Sequence, residues 1–144
     1  MNYIEKIYIK SDEVYHYPWL NQTDINITLT KEFINNEKIK NYSIALLIAS
    51  FKKVVNIKPD FIISVNDLTL KFCEIADNDK ITMYLEKVCD YIIAEKYNFK
   101  QPKSEVSLYV EENKETIIEL FKEIKHFITQ KEIKYYAQAV DGFN

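Results

Sequence analysis

The sequence contains a single glycine, Gly142, among 144 residues. Glycine adopts positive φ at no steric cost and lets a backbone approach an anion closely. Several glycines are therefore specified by the Walker A loop, the dinucleotide fingerprint, the kinase phosphate loop and the GxSxG nucleophile elbow. This chain cannot build any of these sites, and its turns must use other residues.

All nineteen basic residues are lysines, so the chain has no arginine. A guanidinium offers a planar fork of donors that binds a phosphate or the edge of a guanine through two bonds, whereas an ammonium is a flexible point charge. The formal net charge of -3 also weakens any nonspecific attraction to polyphosphates. We therefore expect no sequence-specific binding of nucleic acid.

The length and composition predict a single globular domain over residues 1–144. A chain of this size buries most of its unfolded surface in one core, and 47% hydrophobic with 28% charged residues is an ordinary globular composition. Near the N-terminus, Glu5, Lys6 and Lys10 interrupt the apolar run that a signal peptide needs. No stretch approaches the roughly eighteen apolar residues of a membrane span. We expect no export or membrane signal.

The two cysteines indicate the compartment. Cys73 and Cys89 form no CxxC pair, and both lie in apolar stretches. This pattern is typical of reduced, buried thiols in a cytosolic protein rather than of a disulfide framework or a zinc site. The protein is therefore expected to be cytoplasmic.

Two periodicities alternate along the chain. Alternation of apolar and polar residues predicts strands, and apolar residues at i, i+3 and i+4 predict helices. The predicted strands are 2–10, 24–30, a hairpin within 60–76 that turns at Asn66 and Asp67, 104–110 and 131–140; the predicted helices are 39–57, 78–93 and 113–128.

Successive strands near the start and in the middle of the chain argue against a doubly wound sheet. They favour an α+β sandwich, in which about three helices pack on one face of a mixed or antiparallel sheet of about six strands. The segment 104–140 is predicted to be a strand, a helix and a strand.

Residues with catalytic or metal-binding spacing are missing from the sequence. Neither HExxH nor an EF-hand pattern occurs, and His16 and His126 are far apart in the sequence. We assign no catalytic residue, no metal ligand and no cofactor. A magnesium site built from carboxylates alone stays open as an alternative, because the chain has twenty-two acidic residues.

The segment "YHYPW" is the first candidate for a binding surface, and we call it the aromatic segment. Its candidate residues are Tyr15, His16, Tyr17 and Trp19. Pro18 disfavours helical geometry at Tyr17, so the aromatic rings lie in an extended or turning connection. The rings either cap the core or form an exposed anchor for a partner, because tyrosine and tryptophan are enriched at binding hot spots.

The second candidate surface is a run of glutamates before and along the last predicted helix, which we call the acidic stripe. Glutamates four residues apart stack on one side of a helix. The stripe is either a solvated face or a negative field that attracts a basic partner. Its residues are Glu111, Glu112, Glu115, Glu119 and Glu123.

These observations favour a non-catalytic protein that binds another protein, in particular an inhibitor of the toxin-immunity or phage counter-defence type. The expected partner is another protein, and a basic nuclease or nucleic-acid-binding protein would suit the acidic stripe. The alternative is an enzyme or small-molecule-binding protein whose site surrounds His16 and the neighbouring tyrosines. These side chains can transfer protons once burial has shifted their pKa values.

Overall fold

The computed structural model describes residues 3–13, 22–73, 78–95 and 105–139, without the side chains of residues 12, 13, 105–112 and 136–139. A five-stranded sheet organises this described part of the chain. The strand order is β3-β4-β2-β1-β5, with β5 parallel to β1 and every other neighbouring pair antiparallel. The strands are β1 (Ile4–Glu13), β2 (Gln22–Leu29), β3 (Asp60–Ile63), β4 (Asp67–Cys73) and β5 (Lys134–Ala139).

In the described part of the chain, four helices accompany the sheet: α1 (Lys31–Ile34), α2 (Glu37–Val55), α3 (Asn78–Ala94) and α4 (Glu105–Thr129). The last three contact one another, and α3 and α4 also contact β1. The fold is therefore α+β, with helices packed on a mixed sheet, as the sequence predicted.

The core lies between the inner face of the sheet and these helices. Ile27 pairs with Ile7 on one side and with Leu68 on the other, and all three are buried. The alternation of β2 thus determines which face is covered, since successive side chains of a strand point to opposite faces. The helices contribute the buried side chains Leu47, Phe51, Leu85, Val88, Ile117 and Phe121.

The outer face of the sheet carries polar side chains along β2 and β4. Thr69 Oγ1 donates a hydrogen bond to Asn26 Oδ1 at 2.8 Å, and Thr28 Oγ1 donates to Asp67 Oδ1 at 2.6 Å. Such cross-strand pairs stabilise a sheet by a few tenths of a kcal/mol to about 1 kcal/mol each. The face that the helices cover is therefore mainly apolar, and the opposite face is polar along β2 and β4.

Two helix ends show how the chain reverses direction without glycine. Asn56, after α2, has φ 55°, and Lys131, after α4, has φ 54°. Ile57 N–H bonds back to the carbonyl oxygen of Phe51 at 3.3 Å, and Glu132 N–H bonds to that of Phe127 at 2.9 Å. Both helices thus end through a left-handed residue, a position that glycine usually occupies and that asparagine tolerates better than lysine.

The predicted strand at 104–110 is wrong, because α4 already begins at Glu105. Val106, Leu108 and Val110 occupy every second position, which indicates a strand. Val106 and Val110 are also four residues apart and so fit a helix equally well. Extending an existing helix adds one hydrogen bond for each residue ordered, whereas an isolated strand needs a partner. The predicted strand-helix-strand unit is therefore a long helix followed by β5, and the described residues contain five strands and four helices rather than six and three.

The predicted hairpin is confirmed, with its turn one residue earlier than expected. Ser64 pairs with Asp67, so Val65 and Asn66 form the turn. The short helix α1 was not predicted from the sequence. Of the two thiols expected to be buried, Cys89 is buried and Cys73, the last residue of β4, is exposed.

Candidate functional site

Strand β3 places three consecutive apolar side chains at an edge of the sheet. Phe61, Ile62 and Ile63 are 47%, 53% and 42% exposed, and Val65 in the adjoining turn is 78% exposed. These are four of the six exposed large hydrophobic side chains among the described residues. Because natural edge strands are usually protected by charges, bulges or covering segments, an apolar edge indicates an interaction surface.

The backbone of β3 also presents hydrogen-bonding groups to the sheet edge. Ser64 N–H donates to the carbonyl oxygen of Asp67 at 2.9 Å. Along an antiparallel strand, the N–H and C=O groups of alternate residues face the partner strand and then face away from it. Ile62 therefore faces β4, whereas Phe61 and Ile63 direct their backbone groups outward. The edge can accept one more strand.

An open groove of about 700 Å³ lies between β3 and α2. Phe61 and Ile63 form its strand side, because their pairing with Leu70 and Leu68 puts them on the inner face of the sheet. The helix side includes two alanines, which leave room between the helix and the strand. We call this surface the β3–α2 groove, and its helix residues are Asn41, Ile44, Ala45, Ile48, Ala49 and Lys52.

Among the residues that the structure describes, the charged side chains that line the β3–α2 groove are both positive and lie at one end. They are Lys52, in the last turn of α2, and Lys58, in the connection to β3. Asn41 lines the groove near the start of α2, at the opposite end. Asp60 belongs to the same strand, but its pairing with Lys71 directs it to the outer face. An anion would therefore bind best where α2 meets β3.

The acidic stripe is only partly a free surface. Glu115 and Glu119 are exposed on α4, and Glu119 Oε1 lies 3.6 Å from Lys122 Nζ. An exposed pair of this kind contributes little to stability but reduces the local negative field. Glu111 and Glu112 lie on α4, but their side chains are not among those that the structure describes.

Glu123, the last residue of the acidic stripe, has a structural role. Its carboxylate accepts hydrogen bonds from the backbone N–H groups of Tyr3, at 2.8 Å, and Ile4, at 3.0 Å. The side chain is half-buried against the start of β1. It is therefore held within the fold rather than offered to a partner.

The aromatic segment, with Tyr15, His16, Tyr17 and Trp19, lies outside the described residues.

A polar cluster lies where the described part of β1 ends and β2 begins. Ser11 Oγ donates to Asn78 Oδ1 and lies 3.2 Å from Thr23 Oγ1. These hydroxyl and amide groups satisfy one another. None of them titrates near neutral pH, so the cluster supplies no general acid or base.

The thiol of Cys89 is enclosed in the core, where burial raises its pKa. A protonated thiol in an apolar environment is a poor nucleophile. His126 is exposed in the last turn of α4, where a cation interacts favourably with the helix C-terminus. Neither residue lies in the β3–α2 groove.

Across residues 3–13, 22–73, 78–95 and 105–139, no cluster of three or more histidine, cysteine, aspartate or glutamate side chains is placed to hold a metal ion. Within the same ranges, no helix has the length and apolar character that crossing a membrane requires.

Comparison of the chain with protein-family models, with curated proteins and with solved structures found no match. Only the surfaces of the chain itself therefore bear on its function.

The residues of the β3–α2 groove were not among the sequence-based candidates. One signal was present in the stretch "DFII", where apolar residues occupy both faces of a short strand. Apolar residues on both faces are typical of a buried central strand. The position of β3 at the edge, which only the strand order reveals, turns the same residues into a candidate binding surface.

Proposed function

We propose that this chain is a non-catalytic, cytoplasmic protein that binds and inhibits another protein, and that it holds its partner through β3 and the β3–α2 groove. One observation carries the proposal: an edge strand with outward backbone groups lies beside an open apolar groove. An extended segment of a partner could bond to the backbone of Phe61 and Ile63 while its alternate side chains enter the groove.

The shape of the groove favours a protein partner over a small metabolite. Sites for small molecules are concave and enclose most of the ligand. The β3–α2 groove is open and continues into the exposed edge of the sheet, where Ile62 and Val65 add apolar surface. A partner chain covers such a surface, whereas a small molecule would leave the edge of the strand exposed.

The inhibitor class is proposed by analogy, from the general properties of the chain. The chain is small and acidic, and no catalytic motif is recognised in its sequence. The two free cysteines suit a reducing compartment, which supports the cytoplasm. Toxin-immunity and phage counter-defence proteins are inhibitors of this general kind.

The exposed part of the acidic stripe supports a supplementary role in association. Glu115 and Glu119 would attract a basic partner and speed the encounter without forming the main contact. Charge reversal at both positions should then slow association and leave the dissociation rate nearly unchanged. Equal association rates before and after the reversal would remove this role.

The test is affinity capture from the native host with the full chain and the variant Ile63→Pro. Proline removes an outward N–H while leaving the β3–β4 hydrogen bonds intact, and prolines are tolerated on edge strands. The control is Met83→Lys, which removes another exposed apolar side chain, on α3. The native chain and the control should retain one stoichiometric partner, and Ile63→Pro should lose it. Capture by all three chains alike would refute the proposed site.

A further inference from the structure

We infer that the segment bound in the β3–α2 groove is an extended strand of the partner, antiparallel to β3, with the pattern apolar-x-apolar-x-acidic. This inference rests on the proposed function and specifies the chemistry of the partner. It follows from the direction of β3, the orientation of its backbone and the location of the two lysines.

The direction of β3 determines which end of the added strand meets the lysines. β3 begins at Asp60, two residues after Lys58, and ends at Ile63. In an antiparallel ladder the added strand starts opposite Ile63 and finishes near Lys58, and this pairing is slightly more stable per residue than a parallel one. The lysines therefore contact the C-terminal part of the bound segment.

The outward backbone groups determine which partner residues enter the groove. Residues opposite Ile63 and Phe61 form the hydrogen-bonded pairs, and their side chains lie on the same face as these two residues. That face opens into the groove beside Ala45 and Ala49. The first and third residues of the pattern are therefore apolar, and the second lies opposite Ile62 on the outer face.

The charges determine the remaining positions. The fourth residue lies opposite Asp60, which disfavours an acidic side chain there. The fifth residue returns to the groove face at the end that Lys52 and Lys58 line. A carboxylate at this position can pair with both ammonium groups. The C-terminal dipole of α2 opposes an anion at this end, but it amounts to only about half a charge.

A second copy of the chain fits this pattern less well. Pairing of β3 with β3 around Ile62 would place Phe61 opposite Ile63 and match the apolar positions. The fifth residue would then be Val65, which offers no negative charge to Lys52 and Lys58. Charge complementarity therefore favours a separate acidic segment over self-association.

The test pans a displayed library of random peptides, about ten residues long, on the immobilised full chain. Three variants accompany it: Lys52→Glu with Lys58→Glu reverses the groove charges, Lys87→Glu with Lys134→Glu makes the same change at exposed positions outside the groove, and Ile63→Pro blocks the added strand. Circular dichroism establishes that each variant is folded.

The native chain and the Lys87/Lys134 control should enrich aspartate or glutamate two positions after the second apolar residue. The Lys52/Lys58 variant should enrich lysine or arginine there. Replacing the acidic residue of the native consensus peptide by lysine should weaken its binding about tenfold or more, as expected for the loss of a hydrogen bond between charged groups.

Two results would overturn the inference and leave the proposed function standing. The first is a set of peptides that needs an unblocked Ile63 but shows no acidic preference, or a preference that the charge reversal does not change. The second is a dimer of the native chain in sedimentation that Ile63→Pro dissociates, because a second copy would then occupy the edge. Peptide binding that is indifferent to Ile63→Pro would instead refute the proposed function as well.

Discussion

The carboxylate of Glu123, on α4, accepts a hydrogen bond from the backbone N–H of Tyr3 at 2.8 Å, across 120 positions of the sequence. The same carboxylate accepts a second bond from the N–H of Ile4 at 3.0 Å. These bonds join the start of β1 to the last helix and satisfy backbone donors at the point where the described chain begins. A residue that appeared in the sequence to belong to a surface stripe therefore helps to close the fold.

Replacement of Glu123 by alanine should lower the free energy of unfolding by about 2–3 kcal/mol. Hydrogen bonds to a charged acceptor contribute about 1.5–3 kcal/mol, and the N–H groups of Tyr3 and Ile4 would lose this acceptor. Glu123→Gln keeps a neutral acceptor and should have a smaller effect. The measurement is urea denaturation followed by circular dichroism. Glu119→Ala, at an exposed position on the same helix, should change stability by less than about 0.5 kcal/mol. Equal effects at the two positions would contradict the structural role of Glu123.

Replacement of Ser43 by alanine should stabilise the protein by about 1 kcal/mol. Its hydroxyl is buried in α2 and has no hydrogen-bond partner among the described residues. An unsatisfied buried hydroxyl costs free energy, and alanine is also the better helix former. Thermal unfolding should show a higher midpoint. Ala45→Ser, at an exposed position of the same helix, isolates the helix-propensity part of the effect, and destabilisation by Ser43→Ala would indicate a partner for the hydroxyl.

The two thiols should differ sharply in reactivity with a disulfide reagent. Cys73 is exposed, whereas Cys89 is enclosed and burial raises the pKa of its thiol. One thiol per chain should react rapidly in the native state and the other only at the rate of unfolding, and Cys73→Ser should remove the rapid phase. Two rapid phases in the native chain would contradict the burial of Cys89.

The raised pKa of the Cys89 thiol also predicts a change of stability with pH. A thiol that stays protonated in the folded state but ionises in the unfolded chain at its ordinary pKa of 9.0 favours folding below that pH. Its contribution is present below pH 9.0 and declines as the pH rises above it. The Cys89→Ala variant should therefore lose less stability than the native chain between about pH 9 and pH 10.5. Identical pH profiles for the two chains would show that the thiol ionises equally in both states.

Amide hydrogen exchange tests the orientation of β3 directly. The N–H of Ile62 faces β4 and should exchange slowly, whereas the N–H groups of Phe61 and Ile63 face the sheet edge and should exchange rapidly. Nuclear magnetic resonance at low protein concentration resolves these amides individually. Equal protection of the three amides would mean that another strand already covers the edge.

Much of the fold follows from the local pattern of residues. The alternation around Ile25 and Ile27 predicted β2, and the spacing of Ile81, Leu85, Val88 and Ile92 predicted α3. These predictions succeeded because each apolar residue faces one core, so the period of the pattern reports the local geometry. The error at 104–110 has the same origin, since a short apolar run fits either period.

The sequence by itself determined the fold class and the kinds of phosphate and nucleotide site that a chain with one glycine and no arginine cannot build. Only the tertiary structure decided that Phe61, Ile62 and Ile63 lie at an edge, that Lys52 and Lys58 line one end of a groove and that Glu123 binds the backbone of Tyr3 and Ile4. Periodicity records which side of an element is buried. The order of strands and the contacts between distant segments arise from packing across the whole chain, which local residue patterns do not encode.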